Sequence, residues 1–427
     1  IWPGHYRENI YINKELHFVG SGPSRTIING RYLNSPFFFD YNADGSSIKN
    51  VKVIKGKNST SCCSYNNNFA GISVNSADNM VISNIHAESY NGIIISSSRN
   101  TIIQDSIIKP DSSTQKYYGI RLYSSNYDSV IENNEISGFT TGLDIQYLTY
   151  GLEVKDNYIH NNTGDGAYIY YVGQTSARNN PIELVGNRFV ENNYGIRKGD
   201  SHSSYGYAFQ IKNNLFKGNA YDGLYSNYYS REWVVENNTF DGKNSEGTND
   251  QRYGIFFNRY SYQTILGNNT FTNTETNGKD IRFYYCSCTG VNAVKFFNNS
   301  FSSFYHNSGL VNVYNTLNIR TLDEDDNAFS NVDLEIKDST STYYKTPHWG
   351  GSDTRTDSEG YVSSTKYIRS GYYSSSNSIS ENTITVKIAH GVRAKTTSFT
   401  FDSDGTENIE VPNNFKEGVI ENKDSET

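Results

Sequence analysis

Charge of either sign is scarce in this 427-residue sequence: Asp, Glu, Lys and Arg make up only 19%, and the balance is acidic, at a net −8. Such a chain carries no basic footprint for nucleic acid or an anionic membrane. Long apolar runs are missing too. No stretch of 18 apolar residues occurs, so none is fit to cross a membrane as a helix. Methionine appears once and proline seven times. The four cysteines come as the adjacent Cys62 and Cys63 and the near neighbours Cys286 and Cys288. No histidine flanks either pair at zinc-finger spacing, so no metal site is read from them. What is plentiful is tyrosine (36), glycine (35) and phenylalanine (22), with Asn and Ser. That mixture, poor in strong helix formers, argues for an all-β chain of short strands and turns.

One phrase returns eight times. It reads Asn133-Asn134-Glu135-Ile136, Asp156-Asn157-Tyr158-Ile159, Gly186-Asn187-Arg188-Phe189 and Asn213-Asn214-Leu215-Phe216. It continues as Asn237-Asn238-Thr239-Phe240, Asn268-Asn269-Thr270-Phe271, Asn298-Asn299-Ser300-Phe301 and Asp326-Asn327-Ala328-Phe329. The second residue is always Asn, recurring at steps of 23, 30, 27, 24, 31, 30 and 28 residues. A period of that size marks a stacked array in which each unit buries its apolar face against its neighbours.

A second signal is a glycine followed by alternating apolar residues, as in Gly119-Ile120-Arg121-Leu122 and Gly142-Leu143-Asp144-Ile145. Alternation with period two sends Ile93, Ile120, Leu143, Ile196 and Ile255 inward. It sends Ile94, Arg121, Asp144, Tyr168, Arg197, Tyr225, Phe256 and Arg282 outward. Stacked at about 4.8 Å per rung, like residues form ladders. The Asn column is read as scaffold, bending the chain in the left-handed region and bonding rung to rung. Ile107, Ile136 and Ile159 give way to Phe189, Phe216, Phe240, Phe271, Phe301 and Phe329, which predicts an aromatic stack inside the coil.

The opening segment, Ile1-Trp2-Pro3-Gly4-His5-Tyr6-Arg7-Glu8-Asn9-Ile10-Tyr11-Ile12 with Thr26-Ile27-Ile28-Asn29-Gly30, resembles the first rungs of a known superfamily. These are the right-handed parallel β-helix proteins of the pectate-lyase-like group, and the nearest resemblance is to their NosD-like copper-binding and archaeal cell-surface branch. The resemblance implies a right-handed parallel β-helix over residues 1–332 and an extracellular, cell-surface location. The copper role does not carry over, since one Met and eight scattered His form no ligand series. The resembling proteins place a short amphipathic helix before this phrase. This sequence starts inside it, at Ile1, so a leader has been removed or the sequence is partial. Residues 333–415, with Thr356-Asp357-Ser358-Glu359-Gly360-Tyr361-Val362, resemble small immunoglobulin-like or carboxypeptidase-regulatory-like β-sandwiches. Residues 416–427 read as a charged, flexible tail.

Chemistry is harder to place. Arg121 and Asp144 fall on adjacent rungs and are the best catalytic candidates for a polysaccharide lyase or glycosidase acting on acidic glycans. Outward Tyr123, Tyr147, Tyr168, Tyr170, Tyr225 and Tyr284 suit a protein interface or a stacking surface for sugars. His160, Asp165, Asp200 and His202 lie in turns, with no spacing that demands a site. Asp323, Asp325 and Asp326 sit in an acidic run that could hold calcium but reads more simply as a solvated loop. Sequons at Asn58, Asn161, Asn237, Asn268 and Asn298 suit a glycosylated exterior, although an Asn-rich chain makes them by chance.

The two cysteine pairs lie eight rungs apart, about 38 Å, too far for one disulfide within a straight coil. They are free, closed locally, or bonded between molecules, and in the last case they link copies head to tail. The reading this favours is a non-enzymatic extracellular protein, without cofactor, that assembles with itself into a surface layer, sheath or fibre. The alternatives are the lyase or glycosidase, and a glycan-binding adhesin that uses the tyrosine face.

Overall fold

The computed structural model describes every residue except 57–69, 112–115, 148–149, 174–178, 200–205, 249, 287, 363–365, 375–377, 392 and 413–427. The chain divides into two compact units, Ile1–Val294 with Asn299–Leu310, and Lys295–Asn298 with Val311–Thr427. The first is a right-handed β-solenoid of about ten turns. A typical turn runs through Val130–Glu132, bends at Asn133-Asn134, continues as Glu135–Ser137 and returns through Thr141–Gln146. Strands of the last kind, nine of which carry a glycine just before them or as their second residue, stack in parallel into one twelve-stranded sheet from Ile10–Ile12 to Phe304–His306. This is the glycine sheet.

Two residues share the work of each bend. The first, Asn133, Asp156, Gly186, Asn213, Asn237 or Asn268, takes the left-handed conformation at φ between 52° and 70°. Gly, Asn and Asp tolerate that region best. The second is buried and builds the ladder. Each side-chain amide donates to the side-chain oxygen one rung on. The distance is 3.0 Å from Asn134 to Asn157 and 3.0 Å from Asn157 to Asn187. It is 3.1 Å from Asn187 to Asn214, 3.0 Å from Asn214 to Asn238 and 3.0 Å from Asn238 to Asn269. Buried polar groups need such partners, and here they find them in their own kind. A second ladder, missed in the sequence, links Asn162, Asn192, Asn219 and Gln251 at 2.9, 3.3 and 3.4 Å. It follows the first by five residues in each turn, at Asn157/Asn162, Asn187/Asn192 and Asn214/Asn219.

Inside the coil Phe189, Phe216, Phe240 and Phe271 stack, with ring centroids 5.2, 4.6 and 4.8 Å apart and planes within 10°. The glycines that open the glycine-sheet strands face these rings. A Cβ on Gly166, Gly195, Gly223 or Gly254 would stand 3.0, 2.6, 2.6 or 2.5 Å from a carbon of the opposing ring. Close-packed interiors do not admit that. The glycine column and the aromatic column therefore require each other.

Two expected members of the stack are corrected. Ile107 is 43% exposed, while Ile108 is fully buried and in register with Ile136. In that rung the phrase is Asp105-Ser106-Ile107-Ile108, with Ser106 in the ladder place and its N–H on Asn134 Oδ1 at 3.1 Å. Phe329 belongs to the second unit and packs on that unit's apolar core. Its phrase, Asp326–Phe329, closes a turn rather than a rung.

In the second unit, Thr342–Lys345, Asp333–Lys337, Ile384–His390 and Arg393–Phe399 form a four-stranded antiparallel sheet. Val311–Leu322 pairs antiparallel with Lys366–Tyr373 and parallel with Gly405–Glu410. Leu317, Ile319, Leu334, Ile336, Val386 and Ile388 meet in one buried core. In the acidic run, Asp323 Oδ1 accepts the N–H groups of Asp325 and Asn327, both at 2.9 Å. That carboxylate is committed to its own turn. Among the described residues no group of three or more His, Cys, Asp or Glu is gathered to hold a metal ion.

Candidate functional site

The outer face of the glycine sheet carries one column read from the sequence and one that was not. The first runs Ile94, Arg121, Asp144, Tyr168, Arg197, Tyr225, Phe256, Arg282 and Tyr305, each in register with the next. The second, at the strand starts, runs Tyr118, Thr141, Asp165, Tyr194, Asp222, Tyr253 and Lys279. Alternation does not reach a residue placed before a glycine bend, so this column escaped notice. Its available signal was the repeated Asp-Gly of Asp165-Gly166 and Asp222-Gly223. Asp165, expected in a turn, opens the strand Asp165–Tyr170.

Three carboxylates on this face each meet an arginine. Arg121 Nε lies 3.0 Å from Asp144 Oδ2. Arg197 forks onto Asp165, with Nε and Nη2 donating at 2.7 Å each. Arg252 Nη2 stands 3.4 Å from Asp222. The guanidinium groups lie against aromatic faces: Arg121 beside Tyr118 and Tyr123 at 4.6 and 4.7 Å, Arg197 over Tyr168 at 4.4 Å, Arg252 over Tyr253 at 4.8 Å. Each such contact is favourable and also shields the pair from water.

The cover decides the chemistry. Asp144 and Asp222 are fully buried, and Asp165 almost so. Burial pushes Asp144 up to about 6, against the pull of Arg121 and Gln146. It pushes Asp222 up to about 7, against Arg252 and, at longer range, Arg282. Asp165 is likewise raised by burial, with the Arg197 hydrogen bonds acting the other way. Asp222 Oδ2 is buried with no hydrogen-bond partner among the described residues. Buried ion pairs are weak contributors to net stability. Perturbed acidities cluster at functional sites and also arise in structural ion-pair networks.

The remaining expected residues sort as follows. Tyr123, Tyr147, Tyr168, Tyr170, Tyr225 and Tyr284 are half-buried. Tyr123, Tyr147 and Tyr170 meet edge to face at 5.3 and 5.8 Å, and Tyr168 stacks on Tyr170 at 6.0 Å. Tyr225 meets Phe256 at 5.3 Å and Tyr284 meets Tyr285 at 4.8 Å. Asn161, Asn237, Asn268 and Asn298 are exposed, each at a left-handed bend. His160 stacks on Tyr158 at 3.9 Å, in a strand outside the glycine sheet. Cys286 and Cys288 are joined to each other. Cys62, Cys63, Asn58, Asp200 and His202 lie outside the described residues.

Residues 38–197 match the family model described as a right handed beta helix region. The fold is a right-handed β-helix. No curated protein matches the chain. Among solved structures this β-helix is similar to the catalytic domain of a GH87 alpha-1,3-glucanase in complex with tetrasaccharides, at TM-score 0.49 and 15% identity. That match covers 71% of this chain and 60% of the glucanase domain. The A-module of the mannuronan C-5 epimerase of Azotobacter vinelandii is similar at TM-score 0.43 and 13% identity, over 71% of this chain and 85% of its own. The DFA-IIIase of Arthrobacter chlorophenolicus is similar at TM-score 0.43 and 13% identity, over 71% and 86%. These likenesses are of fold.

Two expectations are corrected at this point. A non-enzymatic protein that assembles into a layer, sheath or fibre relied on cysteines that link copies. Cys286 and Cys288 close on each other within the chain, so that pair links nothing outside it. The solved β-helices named above are, by their names, a glucanase, an epimerase and DFA-IIIase. The assembly reading and the reading as a non-enzyme are both set aside.

Proposed function

We propose that the chain is a polysaccharide-cleaving glycoside hydrolase that works on the outer face of the glycine sheet. Asp222 is its general acid, and Asp165 is the carboxylate that activates water. One observation carries this reading: two carboxylates of a single column, both raised by burial, differ in how firmly an arginine holds them. Asp222 is buried, weakly paired at 3.4 Å, and holds its proton up to about pH 7. Asp165 is also raised by burial, but both arms of Arg197 pull it back towards its charged form, a hold that Asp222 lacks. An acid and a base available at one pH are what glycosidic cleavage requires.

Asp165 and Asp222 stand two rungs apart, with Tyr194 between them in the column. Their Cα atoms are then about 9–10 Å apart, and carboxyl groups about 6.5–9.5 Å apart leave room for a water molecule and invert the anomeric centre. Tyr168, Tyr225 and Phe256 on the neighbouring column offer faces on which sugar rings stack. Asp222 becomes reachable when Arg252, whose side chain is 40% exposed, swings away from it. Asp144 and Arg121 hold the shape of the face, one and two rungs beyond Asp165. An extracellular location accompanies the proposal, and the Cys286–Cys288 disulfide suits it.

The test is incubation with a panel of α-glucans, fructans and polyuronates, read by new reducing ends and by the absorbance of unsaturated uronates. Turnover without unsaturated products, lowered about 100-fold or more in Asp222→Asn and in Asp165→Asn, is the expected result. Unsaturated products, or tight binding with no cleavage of any glycan, would overturn hydrolysis.

A further inference from the structure

Arg121, Arg197, Arg252 and Arg282 are among the arginines at the outer face of the glycine sheet. Arg121, Arg197 and Arg252 each have a carboxylate within 3.4 Å. Arg282 breaks the pattern. Among the described residues no Asp or Glu lies within ion-pair distance of it, and its Nε, like that of Arg252, is buried without an acceptor. The neighbouring Asp280 is turned elsewhere: its carboxylate accepts from the Thr274 hydroxyl, from Ser302 N–H at 2.6 Å and from Ser303 N–H at 3.0 Å. The Arg282 guanidinium instead sits among four rings, 4.8–5.3 Å from the centroids of Tyr253, Phe256, Tyr284 and Tyr305. Its Nη1 donates to the Tyr253 hydroxyl. Lys279, which opens the same strand in register with Tyr253, adds a second cation with no ion pair to a described carboxylate.

We propose that Arg282 anchors an anionic subsite, so that the glycan bound on this face is acidic. A guanidinium held flat by aromatic rings presents parallel N–H donors in the fork that a carboxylate or a sulfate ester accepts. The rings exclude water, which strengthens the contact, and a partly desolvated arginine whose charge is met only at longer range, by Asp222, is completed by an anion in direct contact. Arg282 lies two rungs, about 10 Å, from Asp222. The charged sugar therefore flanks the bond to be broken rather than forming it. The inference rests on the hydrolase reading for its place in a substrate path, and on Arg282 alone for the contact itself.

Calorimetric titration of the full chain tests it, with polygalacturonate against its methyl ester and dextran sulfate against dextran. The native protein is expected to prefer the charged member of at least one pair, and that pair says whether the group is carboxylate or sulfate. Arg282→Gln is expected to lower the charged-to-neutral affinity ratio about tenfold. It should also flatten the salt dependence. Arg282→Lys is expected to keep part of the preference, and Arg188→Gln, on the other sheet, to leave it unchanged. No preference in the native protein overturns the proposal. So does an unchanged ratio in Arg282→Gln with a native Tm, and Arg282→Lys serves in its place if the Gln variant does not fold. Failure of the hydrolase reading looks different: selective binding through Arg282 with no turnover removes the hydrolysis and leaves the anionic subsite in place.

Discussion

Asn187 donates twice to one oxygen: its side-chain amide reaches Oδ1 of Asn214 at 3.1 Å, and its backbone N–H reaches the same atom at 2.9 Å. The amide also meets the carbonyls of Val154 and Val185 at 2.8 and 3.2 Å. Asn187→Ala strips several buried groups of partners at once and is expected to lower the unfolding free energy by roughly 2–4 kcal/mol. Asn213, one place ahead of Asn214, only has to hold φ at 57°. Asn213→Gly is expected to stay within about 1 kcal/mol of the native protein, while Asn213→Val destabilises it more. Urea unfolding of the three variants separates ladder from bend. Equal losses at positions 187 and 213 would contradict the division.

A methyl group on Gly223 would meet Phe240 Cδ1 at 2.6 Å and the carbonyl oxygen of Gly254 at 2.7 Å. Gly223→Ala is expected to cost about 1–3 kcal/mol through overpacking. Adding Phe240→Leu should recover part of that loss, because the ring is one of the two obstacles. Recovery stays partial, since the Gly254 backbone cannot retreat. Thermal melts of the single and double variants measure the coupling.

The pH dependence of Asp222 has a definite sign. Its folded pKa, about 7, lies above its ordinary value of 3.8. The stability linked to its proton is then fully present below pH 3.8 and lost as pH rises through about 7. Asp222→Asn carries no such charge. Its advantage over the native protein is expected to grow between pH 5 and pH 8, by an amount on the order of a few kcal/mol. Urea titrations at the two pH values check this. A variant more stable at pH 8 and inactive on glycans is the pattern of a residue held in an unfavourable state for its task.

Asp338 shows the opposite sign in the second unit. Burial alone would raise it. The donors around it outweigh that: Thr340 N–H at 2.6 Å, Asn382 at 2.9 Å, Tyr343 hydroxyl at 2.9 Å, Ser341 N–H at 2.6 Å and Arg369 at 2.9 Å. The carboxyl is held down at about 2. This stability is present above pH 3.8 and lost as pH falls toward 2, and amounts to at most about 2 kcal/mol after solvent screening. Amide exchange in Asp333–Lys337 is expected to speed up between pH 4 and pH 2, after correction for intrinsic rates. Asp338→Asn should show fast exchange already at pH 7.

The coil could be read from the chain because a stacked array repeats its contacts at each turn. Asn134 meets Asn157 for the same reason that Asn187 meets Asn214, so one alignment of phrases gives many contacts. Reading by phrase failed where the letters departed from it. Ser106 stands in for Asn, which put Ile107 in place of Ile108, and Asp326–Phe329 carries the letters without the rung.

The acidities of Asp144, Asp165 and Asp222 were not legible. Period-two alternation says that a side chain points outward, and outward normally means solvated. Whether Tyr118, Tyr168, Tyr253 and the arginines fold over that face depends on rotamers and on contacts between rungs that no spacing records. The stacking of rungs, and hence the β-helix, was determined by the sequence through its period. Which outward carboxylates are dry, and which arginine is left without one, was decided only by the tertiary structure, because desolvation belongs to the whole packed surface and not to any one repeat.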